Sequence, residues 1–232
     1  MKKEQEEFQN VICYEFQDPE LLKRALTHSS YANEVRNGKV KDNERLEFLG
    51  DAVLEIVSSD YLYRKHESVS EGELSKMRAS MVCEQTLALC AKEIGLGDYL
   101  YLGKGEDQTG GRKRPSILSD ALEATIGAVY LDGGFEQASA YIHRCILNDI
   151  ENKQLFHDSK TKLQEYVQAR WTDPVVYVDN GFEGPEHDRI FYVNLEVGGK
   201  KISEGSGHSK KAAEQEAAYR ALLFFHQNKE TQ

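Results

Sequence analysis

Carboxylate side chains crowd one face of a predicted helix in the stretch NERLEFLGDAVLEIV, residues 43–57. At about 100° per residue, four acids fall within an arc of roughly 80°: Glu44, Glu47, Asp51 and Glu55. Like charges at this spacing repel each other, so the arrangement is stable only with protons or cations between the acids. Such oxygen ligands suit hard divalent ions, above all Mg²⁺.

The opposite side of the same helix is predicted to face the core. Its residues are apolar: Leu46, Leu49, Val53, Ile56 and Val57. Phe48 does not lie on this stripe but on the acid side, where a monomer would leave a large aromatic side chain in water. The stretch therefore predicts both a chemical site and a contact surface.

A second predicted helix, SILSDALEATIGAVYLDGG, carries two more acids. Asp120 and Glu123 are three residues apart and therefore share a face. The next residues along that face, Ala124 and Gly127, are small, so a neighbouring helix can approach closely. Two acid faces that meet across a narrow gap predict a magnesium site, although each acid taken singly is better explained as part of a solvated helix face. Spacing does not separate a nuclease from other helical metal hydrolases.

Length and composition place these helices in a globular protein that is large enough for two domains. The 232 residues are 40% hydrophobic and 29% charged, and no apolar run reaches the roughly 18 residues of a membrane span. The start, MKKEQEEFQN, lacks the apolar core of a secretory signal, and the four cysteines form no CxxC pair. We therefore expect a cytoplasmic protein with reduced thiols and no membrane partner.

Charge is spread unevenly along the chain. The net charge is −10, and residues 153–232 hold 11 basic and 12 acidic residues, a net of −1. The remaining −9 belongs to the residues before them. A bound polyanion must therefore be held by local basic patches or through cations.

The hydrophobic periodicity changes near residue 151. Before this point, apolar residues at three- and four-residue spacing predict helices. The predicted helical segments are residues 21–30, 44–64, 73–94, 117–131 and 135–150. Residues 103–116, which are rich in glycine, are predicted to form a mobile and partly basic loop.

After the polar residues 152–158, which we interpret as a linker, the pattern is helix, three antiparallel strands, helix. The predicted elements are a helix at 159–171, strands at 175–179, 190–197 and 200–205, and a helix at 210–226. The expected architecture is an all-α domain, residues 1–151, followed by a small α+β domain, residues 159–228.

The motif NERLEFLGD, residues 43–51, resembles the signature of the ribonuclease III family. LTHSSYANE, EGELSKMRA and SDALEATIGAVYLDGG are similar to the family's other blocks and stand in the same order. The resemblance covers nearly the whole chain and implies an endonuclease domain followed by a double-stranded-RNA-binding domain. It implies hydrolysis of phosphodiester bonds in double-stranded RNA with Mg²⁺, for which Mn²⁺ can substitute, leaving 5′-phosphate and 3′-hydroxyl ends. Processing of ribosomal precursor RNA and messenger RNA is a further implied role.

The resemblance also implies roles for six acids of this sequence. The metal set is Glu47, Asp51, Asp120 and Glu123, and the catalytic set is Asp51, Glu123, Glu44 and Glu71. Glu44 and Glu71 are implied to act further out, on RNA and on product release.

Three neighbours of these acids are interpreted differently. Glu55 has no counterpart in the family pattern and is interpreted as a surface residue. Ser70 and Glu73 predict a capping box, which leaves Glu71 free. His28 is predicted to be a hydrogen-bonded structural residue rather than a ligand.

The family resemblance also explains Phe48, because members pair their catalytic domains and insert this residue into a pocket of the other subunit. It therefore implies a homodimer. A twofold dimer would bury the aromatic ring and align two acidic centres along one RNA valley, each cutting one strand.

The second domain resembles the double-stranded-RNA-binding domain at three contact regions. The implied contact residues are Thr161, Gln164, Glu165, Pro185, Glu186, His187, Ser209, Lys210 and Lys211. Ser209 is a natural N-cap, so the last helix offers free amides and its positive dipole end to phosphates. Such a domain spans roughly 16 bp and recognises shape more than sequence. Ordinary surface lysines are the alternative for Lys210 and Lys211.

Other residues are assigned more loosely from the sequence. Lys200 and Lys201 are expected near the phosphate contacts, and residues 112–114 are interpreted as a further RNA contact or as solvated charges. Trp171 and the pair Phe224–Phe225 are predicted to take part in core or domain packing rather than to stack on bases.

Two other function classes remain open from sequence. One is an RNA-binding regulator that kept the fold but does not cut, and the six acids argue against it. The other is a helical metal phosphohydrolase acting on nucleotides, which leaves the second domain unexplained.

Overall fold

The computed structural model describes residues 2–35, 40–150, 159–184, 189–207 and 209–227. Contacts divide the chain into two units, Met1–Ile150 and Glu151–Gln232. Each unit has its own buried apolar cluster, as separate domains require. The predicted linker, residues 152–158, lies outside the described residues.

The first unit is helical, as predicted. Its helices are α1 (Lys2–Ile12), α2 (Pro19–Ala25), α3 (Ser29–Glu34), α4 (Glu44–Lys65), α5 (Glu71–Met81), α6 (Glu84–Glu93), α7 (Lys104–Gln108) and α8 (Pro115–Ile142). Short 3₁₀ turns lie at Leu96–Tyr99 and Gly111–Lys113, and a π-helical turn follows α8 at His143–Leu147. In the described part of the chain, no helix combines the length and the apolar character needed to cross a bilayer.

Helix α8 lies at the centre of the first unit. Between Ile117 and Val129 nearly every side chain is buried, as expected for a helix that other helices surround. Helix α4 packs along α8 more extensively than the other described elements do. The two helices that carry the predicted acids are therefore direct neighbours.

Helix boundaries differ from the prediction in three places. Segment 21–30 is not one helix, because the chain leaves α2 and Thr27 forms an isolated bridge with Tyr101. Segment 73–94 forms two helices, because Cys83 adopts an extended conformation before α6. Segment 103–116, predicted to be a mobile loop, contains α7 and a 3₁₀ turn.

Arg112 holds this last segment in place. Its guanidinium donates to the carbonyls of Gly97 and Leu100 at 3.0 and 2.9 Å and forms an ion pair with Asp107 at 2.8 Å. Arg114 forms an ion pair with Glu106. Both arginines therefore stabilise the loop and are not simply solvated charges, and the RNA contact of residues 112–114 stays a prediction.

The end of the SDALEATIGAVYLDGG block anchors the segment between α1 and α2. The carboxylate of Asp132 accepts hydrogen bonds from the Tyr14 hydroxyl at 2.7 Å and from two backbone amides at 2.8 and 2.9 Å. A Cβ at Gly133 would collide with the Tyr14 hydroxyl, and Gly134 leaves helical geometry at a φ of 81°. The Asp-Gly-Gly sequence therefore has a structural explanation.

The second unit has the predicted α-β-β-β-α order. Its elements are α9 (Ser159–Gln168), β1 (Val175–Glu183), β2 (Ile190–Val197), β3 (Lys200–Gly207) and α10 (Lys210–Gln227). The strands form one antiparallel sheet in the order β1-β2-β3. Leu195 of β2 is buried with Leu163 of α9 and Ala217 of α10. One face of the sheet is therefore covered by both helices.

Candidate metal centre and RNA interface

Helix α4 buries one side against the core and leaves its other side exposed. Leu46, Val53 and Val57 are buried as predicted. Ile56 was predicted to join them and is instead 58% exposed, because it lies roughly 100° from the centre of the buried stripe. Phe48 is 80% exposed. The exposed side of α4 is therefore more apolar than the sequence interpretation assumed.

The close approach of α4 and α8 depends on two glycines. A Cβ at Gly50 would collide with the carbonyl oxygen of Glu123, and a Cβ at Gly127 would collide with the carbonyl oxygen of Leu46. The prediction that Gly127 permits close packing is confirmed. Gly50 was not recognised, although it belongs to the NERLEFLGD motif. Since no side chain separates the two backbones here, acids on neighbouring turns can reach a common point.

Three carboxylates converge beside this glycine contact. Glu47 of α4 and Asp120 and Glu123 of α8 each place an oxygen within 4.8 Å of the other two. Among the residues that the structure describes, this is the one group of acids, histidines or cysteines with such spacing. Asp51 lies one turn beyond Glu47, exposed, and is not one of the three mutually close groups. Three of the four predicted metal ligands therefore come together.

Crowding changes the protonation of this acid cluster, which we define as Glu47, Asp120 and Glu123. Burial, followed by the charges of Asp51, Glu47 and Asp120, raises the pKa of Glu123 to about 8. Burial, followed by the charges of Asp120, Glu44 and Asp51, raises the pKa of Glu47. Near neutral pH the cluster therefore retains a proton unless a cation takes its place.

Two residues outside the predicted acid set also border Asp120. Burial is the largest cause that raises the pKa of Asp120; a hydrogen bond from Ser119 lowers it, the charge of Glu84 raises it and the charge of His28 lowers it. Glu84 was missed because it begins α6, whose sequence shows no acidic face. The Nδ1 atom of His28 accepts a hydrogen bond from the Ser30 amide at 3.2 Å and caps α3, which confirms its structural role.

Glu55 joins α4 to α5 and is not a simple surface residue. It is partly buried and forms an ion pair with Arg78 at 2.7 Å. Arg78 also donates to the Ser59 hydroxyl at 2.9 Å. The sequence interpretation of Glu55 is therefore corrected, because its charge is already balanced by a partner on α5.

Glu71 lies far from the acid cluster within one chain. It accepts a hydrogen bond from Ser75 at 2.9 Å and lines an open cavity of about 420 Å³ beside Tyr63 in the second half of α4. The distance along α4 from Glu47 to this region is about 20 Å, at 1.5 Å per residue. One chain therefore does not bring Glu71 to the other acids.

The start of α5 confirms the predicted cap. The Glu73 amide donates to the Ser70 hydroxyl oxygen at 3.4 Å, and that hydroxyl donates to the Glu73 carboxylate at 3.1 Å. Glu71 takes no part in this arrangement. Its carboxylate therefore remains at the mouth of the cavity.

In the second unit, α9 presents three polar residues away from its core side. Thr161, Gln164 and Glu165 are exposed, whereas Leu163 and Val167 are buried. This face is open to a ligand. Three further predicted RNA contacts, in the loop between β1 and β2, lie outside the described residues: Pro185, Glu186 and His187.

The start of α10 has the cap that the sequence predicts. The Ser209 hydroxyl oxygen accepts a hydrogen bond from the Ala212 amide at 3.1 Å. Lys210 and Lys211 follow in the first turn and are both exposed. Lys210 forms an ion pair with Asp179 of β1. The two lysines therefore differ in their surroundings, although they are adjacent in sequence.

Two further predictions for the second unit are resolved by contacts. The Trp171 ring packs at 5.3 Å from Phe225, which stacks on Tyr166 at 5.2 Å. These rings therefore pack together, but Trp171 and Phe224 are 41% and 48% exposed and do not lie in the core. Lys201 forms an ion pair with Glu204 at 2.7 Å, so a protein carboxylate already neutralises it.

Comparisons with known proteins cover both units. The sequence matches the profile of the Ribonuclease-III-like family over residues 18–150 and that of the Double-stranded RNA binding motif over residues 159–224. It is 49% identical over 217 residues to Ribonuclease 3 of Pelotomaculum thermopropionicum, covering 92% of this chain and 90% of that protein. Ribonuclease 3 of Bacillus licheniformis is 47% identical, with 93% and 87% covered.

A solved structure resembles the first unit. The nuclease domain of ribonuclease III from Campylobacter jejuni aligns with a TM-score of 0.57 and 46% identity, covering 61% of this chain and 94% of that domain. That domain is described as flexible in a region involved in dimer formation. The likeness thus extends from sequence to fold in the unit that carries the acid cluster.

Proposed function

This chain belongs to the ribonuclease III family, and we propose that its acid cluster is the Mg²⁺ site with which it cuts double-stranded RNA. It is an endoribonuclease specific for double-stranded RNA. The observation that carries the metal proposal is the convergence of Glu47, Asp120 and Glu123 on one point.

The donor set fits a hard divalent cation. All three groups are carboxylates, the ligands that Mg²⁺ and Mn²⁺ prefer. Burial, with nearby carboxylates adding to it, raises the pKa of all three groups, so the folded chain disfavours their charged forms in the absence of a cation. When bound, Mg²⁺ would supply an activated water and stabilise charge on the phosphate and on the leaving oxygen.

The remaining acids extend this site toward the substrate. Asp51, exposed one turn beyond Glu47, would orient the water or complete the metal ligands, and Glu44 would contact RNA at the open side. Attack by water rather than by the 2′-hydroxyl leaves 5′-phosphate and 3′-hydroxyl ends. These ends are part of the proposal.

A homodimer is proposed from the exposed side of α4. Phe48, Ile56 and Tyr63 are 80%, 58% and 75% exposed and lie within an arc of roughly 80°; we call them the α4 stripe. If two copies of α4 pack antiparallel about a twofold axis near Ile56, Phe48 of each subunit meets Tyr63 of the other. Phe48 would thus reach the partner's 420 Å³ cavity.

This dimer geometry would place Glu71 beside the acid cluster of the partner subunit. Glu71 lines the cavity that would receive Phe48 of the partner subunit. Phe48 is flanked on α4 by Glu47 and Asp51, so Glu71 of one subunit would stand beside the acid cluster of the other. Glu71 would then act on RNA bound at its partner's centre.

The second unit would hold the duplex by its shape. Thr161, Gln164 and Glu165 would meet 2′-hydroxyls in a minor groove, with the loop at 185–187 in a second one, while Lys210 and Lys211 would contact phosphates. Free amides at the start of α10 would add to the attraction. Cytoplasmic processing of ribosomal precursor and messenger RNA is the proposed role.

The test is cleavage of a long RNA duplex by the purified chain. Mg²⁺ should produce 5′-phosphate ends on duplex RNA, EDTA should stop the reaction, and Mn²⁺ should restore it. A duplex that stays intact while bound would favour an RNA-binding regulator. Release of phosphate or nucleoside from mononucleotides, with duplex untouched, would favour a nucleotide phosphohydrolase.

A further inference from the structure

Lys210 already has an anionic partner within the second unit. Its ammonium group forms an ion pair with the Oδ2 atom of Asp179 at the end of the regular part of β1. The Oδ1 atom of Asp179 accepts a hydrogen bond from the Gly181 backbone amide at 2.9 Å. The strand end therefore holds this carboxylate, so its position does not depend on the flexible lysine alone.

The register of the sheet brings Asp179 to α10. Asp179 stands opposite Val193 of β2, which stands opposite Gly205 of β3. Val193 is buried, and a Cβ at Gly205 would collide with the backbone of α10. Because directly opposed residues share a face of the sheet, Asp179 lies on the face that the helices cover. The ladder becomes irregular after Asp179, where a strand can bend and redirect its side chains.

We propose that Asp179 competes with RNA phosphates for Lys210 and thereby lowers the affinity of this chain for duplex RNA. The inference rests on the proposed phosphate contact at the start of α10. A carboxylate and a phosphate oxygen use the same ammonium donors, and the charge of Asp179 also repels the RNA backbone. Lys211 differs, because no acidic partner contacts it in the described part of the chain.

The competitor is charged whenever RNA can bind. The hydrogen bond from Lys210, followed by that from the Gly181 amide, lowers the pKa of Asp179. RNA must therefore displace the carboxylate itself and not a neutral acid. A weaker hold on the duplex helps an enzyme whose product is also duplex RNA, since tight uniform binding slows release without speeding the cut.

The test compares two variants that each lose one negative charge. Asp179→Asn keeps the oxygen that faces the Gly181 amide, and Glu204→Gln removes the partner of Lys201. Glu204 is adjacent to Gly205 and therefore points to the opposite face of the sheet. The affinity of the full chain for a duplex of about 16 bp is measured in EDTA over a range of salt concentrations.

Asp179→Asn should bind RNA about three- to tenfold more tightly at low salt, with the gain shrinking as salt screens the charges. Glu204→Gln should change the affinity by less than about twofold. In a chain that also carries Lys210→Ala, Asp179→Asn should gain no more than Glu204→Gln does. Circular dichroism melting of each variant establishes that the fold is retained.

The outcomes separate this inference from the proposed RNA contact. If Lys210→Ala weakens binding while Asp179→Asn leaves it unchanged or weakens it, the competition is refuted and the contact stands. If replacing both Lys210 and Lys211 by alanine changes neither the affinity nor its salt dependence, the contact itself is refuted. An equal gain from Asp179→Asn and Glu204→Gln would reduce the effect to net charge and also overturn the competition.

Discussion

The acid cluster of the first unit and the ion pairs of the second unit treat charge in opposite ways. In the acid cluster, Glu47, Asp120 and Glu123 are partly buried, and burial is the largest cause that raises their pKa values, with nearby carboxylates adding to it. In the second unit, acids and bases are paired, as in the partly buried pair Lys160–Glu214 at 2.5 Å and the exposed pair Lys210–Asp179. The proposed cation would balance the charge of the acid cluster, whereas at the ion pairs an incoming polyanion would have to compete with existing partners.

This difference would let one chain combine the proposed metal binding with the proposed RNA contact, each with a different strength. Uncompensated charge in a partly buried site favours a bound counter-ion, because solvent screens it less than it screens a charge at the surface. Paired charges at a surface are worth little individually and respond to salt. Substitutions in the acid cluster should therefore have large effects on cleavage, and substitutions at the charged residues of the second unit should have small and graded effects on RNA affinity.

The largest expected effect is that of Glu123→Gln. The variant keeps the shape of the side chain but removes a metal ligand, and cleavage should fall by roughly 10³-fold or more. Binding of duplex RNA in EDTA should remain, because the second unit is untouched. Rates under single-turnover conditions at saturating Mg²⁺ measure the effect.

Glu136→Gln is the matched control for that variant. Glu136 lies on the same helix beyond Gly134 and is exposed, so its replacement should leave the rate within about twofold. If Glu123→Gln still cleaves RNA at the normal rate, the acid cluster does not take part in catalysis. Joint loss of cleavage, RNA binding and fold would indicate misfolding instead.

The next effect tests the packing that brings the acids together. Gly127→Ala places a methyl group against the carbonyl oxygen of Leu46, and α4 and α8 must separate. We expect a loss of about 2–4 kcal/mol in the free energy of unfolding and a large drop in Mg²⁺ affinity. Urea titration and Mg²⁺-dependent cleavage measure the two consequences.

Gly105→Ala controls for the general effect of removing a glycine. A Cβ there meets nothing within 4 Å, so stability should change little or rise slightly. If Gly127→Ala were as stable and as active as Gly105→Ala, the close helix contact would not be what positions the acids.

Gly50 and Gly127 also show how much of the packing between α4 and α8 can be predicted from the sequence. Spacing along α4 and α8 predicted which acids share a face, and the small residue at Gly127 predicted a close approach. Gly50 went unrecognised because its role depends on which residue of another helix lies opposite. Glu84 was missed for the same reason, since its neighbour Asp120 is 36 positions away in the chain.

Helical periodicity was less reliable at the edge of a face. Ile56 was assigned to the core because it is apolar, yet it is more than half exposed. The pattern does not distinguish a core residue from one that would contact a second subunit in the proposed dimer, because both are apolar. Ion pairs such as Glu55–Arg78 are likewise set by the packing of α4 against α5, which periodicity within one helix does not specify.

Phe48→Asp should separate the dimer and sharpen the role of the α4 stripe. A charge in place of the ring that would enter the partner's cavity should cost on the order of 2–5 kcal/mol of association free energy. Sedimentation at micromolar concentration should show monomer, and double-strand cleavage should fall steeply. Phe135→Asp, which replaces a half-exposed aromatic of α8, should remain dimeric.

A dimer that survives Phe48→Asp with full activity would refute the pocket. Nicking of one strand by a monomeric variant would instead show that each acid cluster is complete within its chain. In that case, Glu71 would have no part at the partner's centre.

The stability of the chain should also depend on pH through Glu123 of the acid cluster. Glu123 titrates near pH 8 in the fold and near its usual value of 4.5 when unfolded. The folded chain therefore binds more protons between these values, and the free energy of unfolding falls as pH rises from about 5 to 8. We expect a loss of about 1–3 kcal/mol without metal, since water in the open site screens part of the repulsion.

Melting curves in EDTA measure this loss, which Glu123→Gln should largely abolish. Added Mg²⁺ should stabilise the chain most at the high end of the range, where the carboxylates are ionised. A flat profile in EDTA would mean that the acids do not crowd one another in solution.

The smallest expected effect compares the two lysines at the start of α10. Lys211→Ala removes an exposed charge without an acidic partner in the described residues, so RNA affinity should fall a few-fold and the salt slope should drop by about 0.9. Lys210→Ala should reduce the slope by less, because its charge is already partly neutralised by Asp179. Equal slopes for the two variants would mean that the Asp179 pair opens readily in solution. The contrast between a unit with uncompensated charges and a unit with paired charges would then rest on the acid cluster alone.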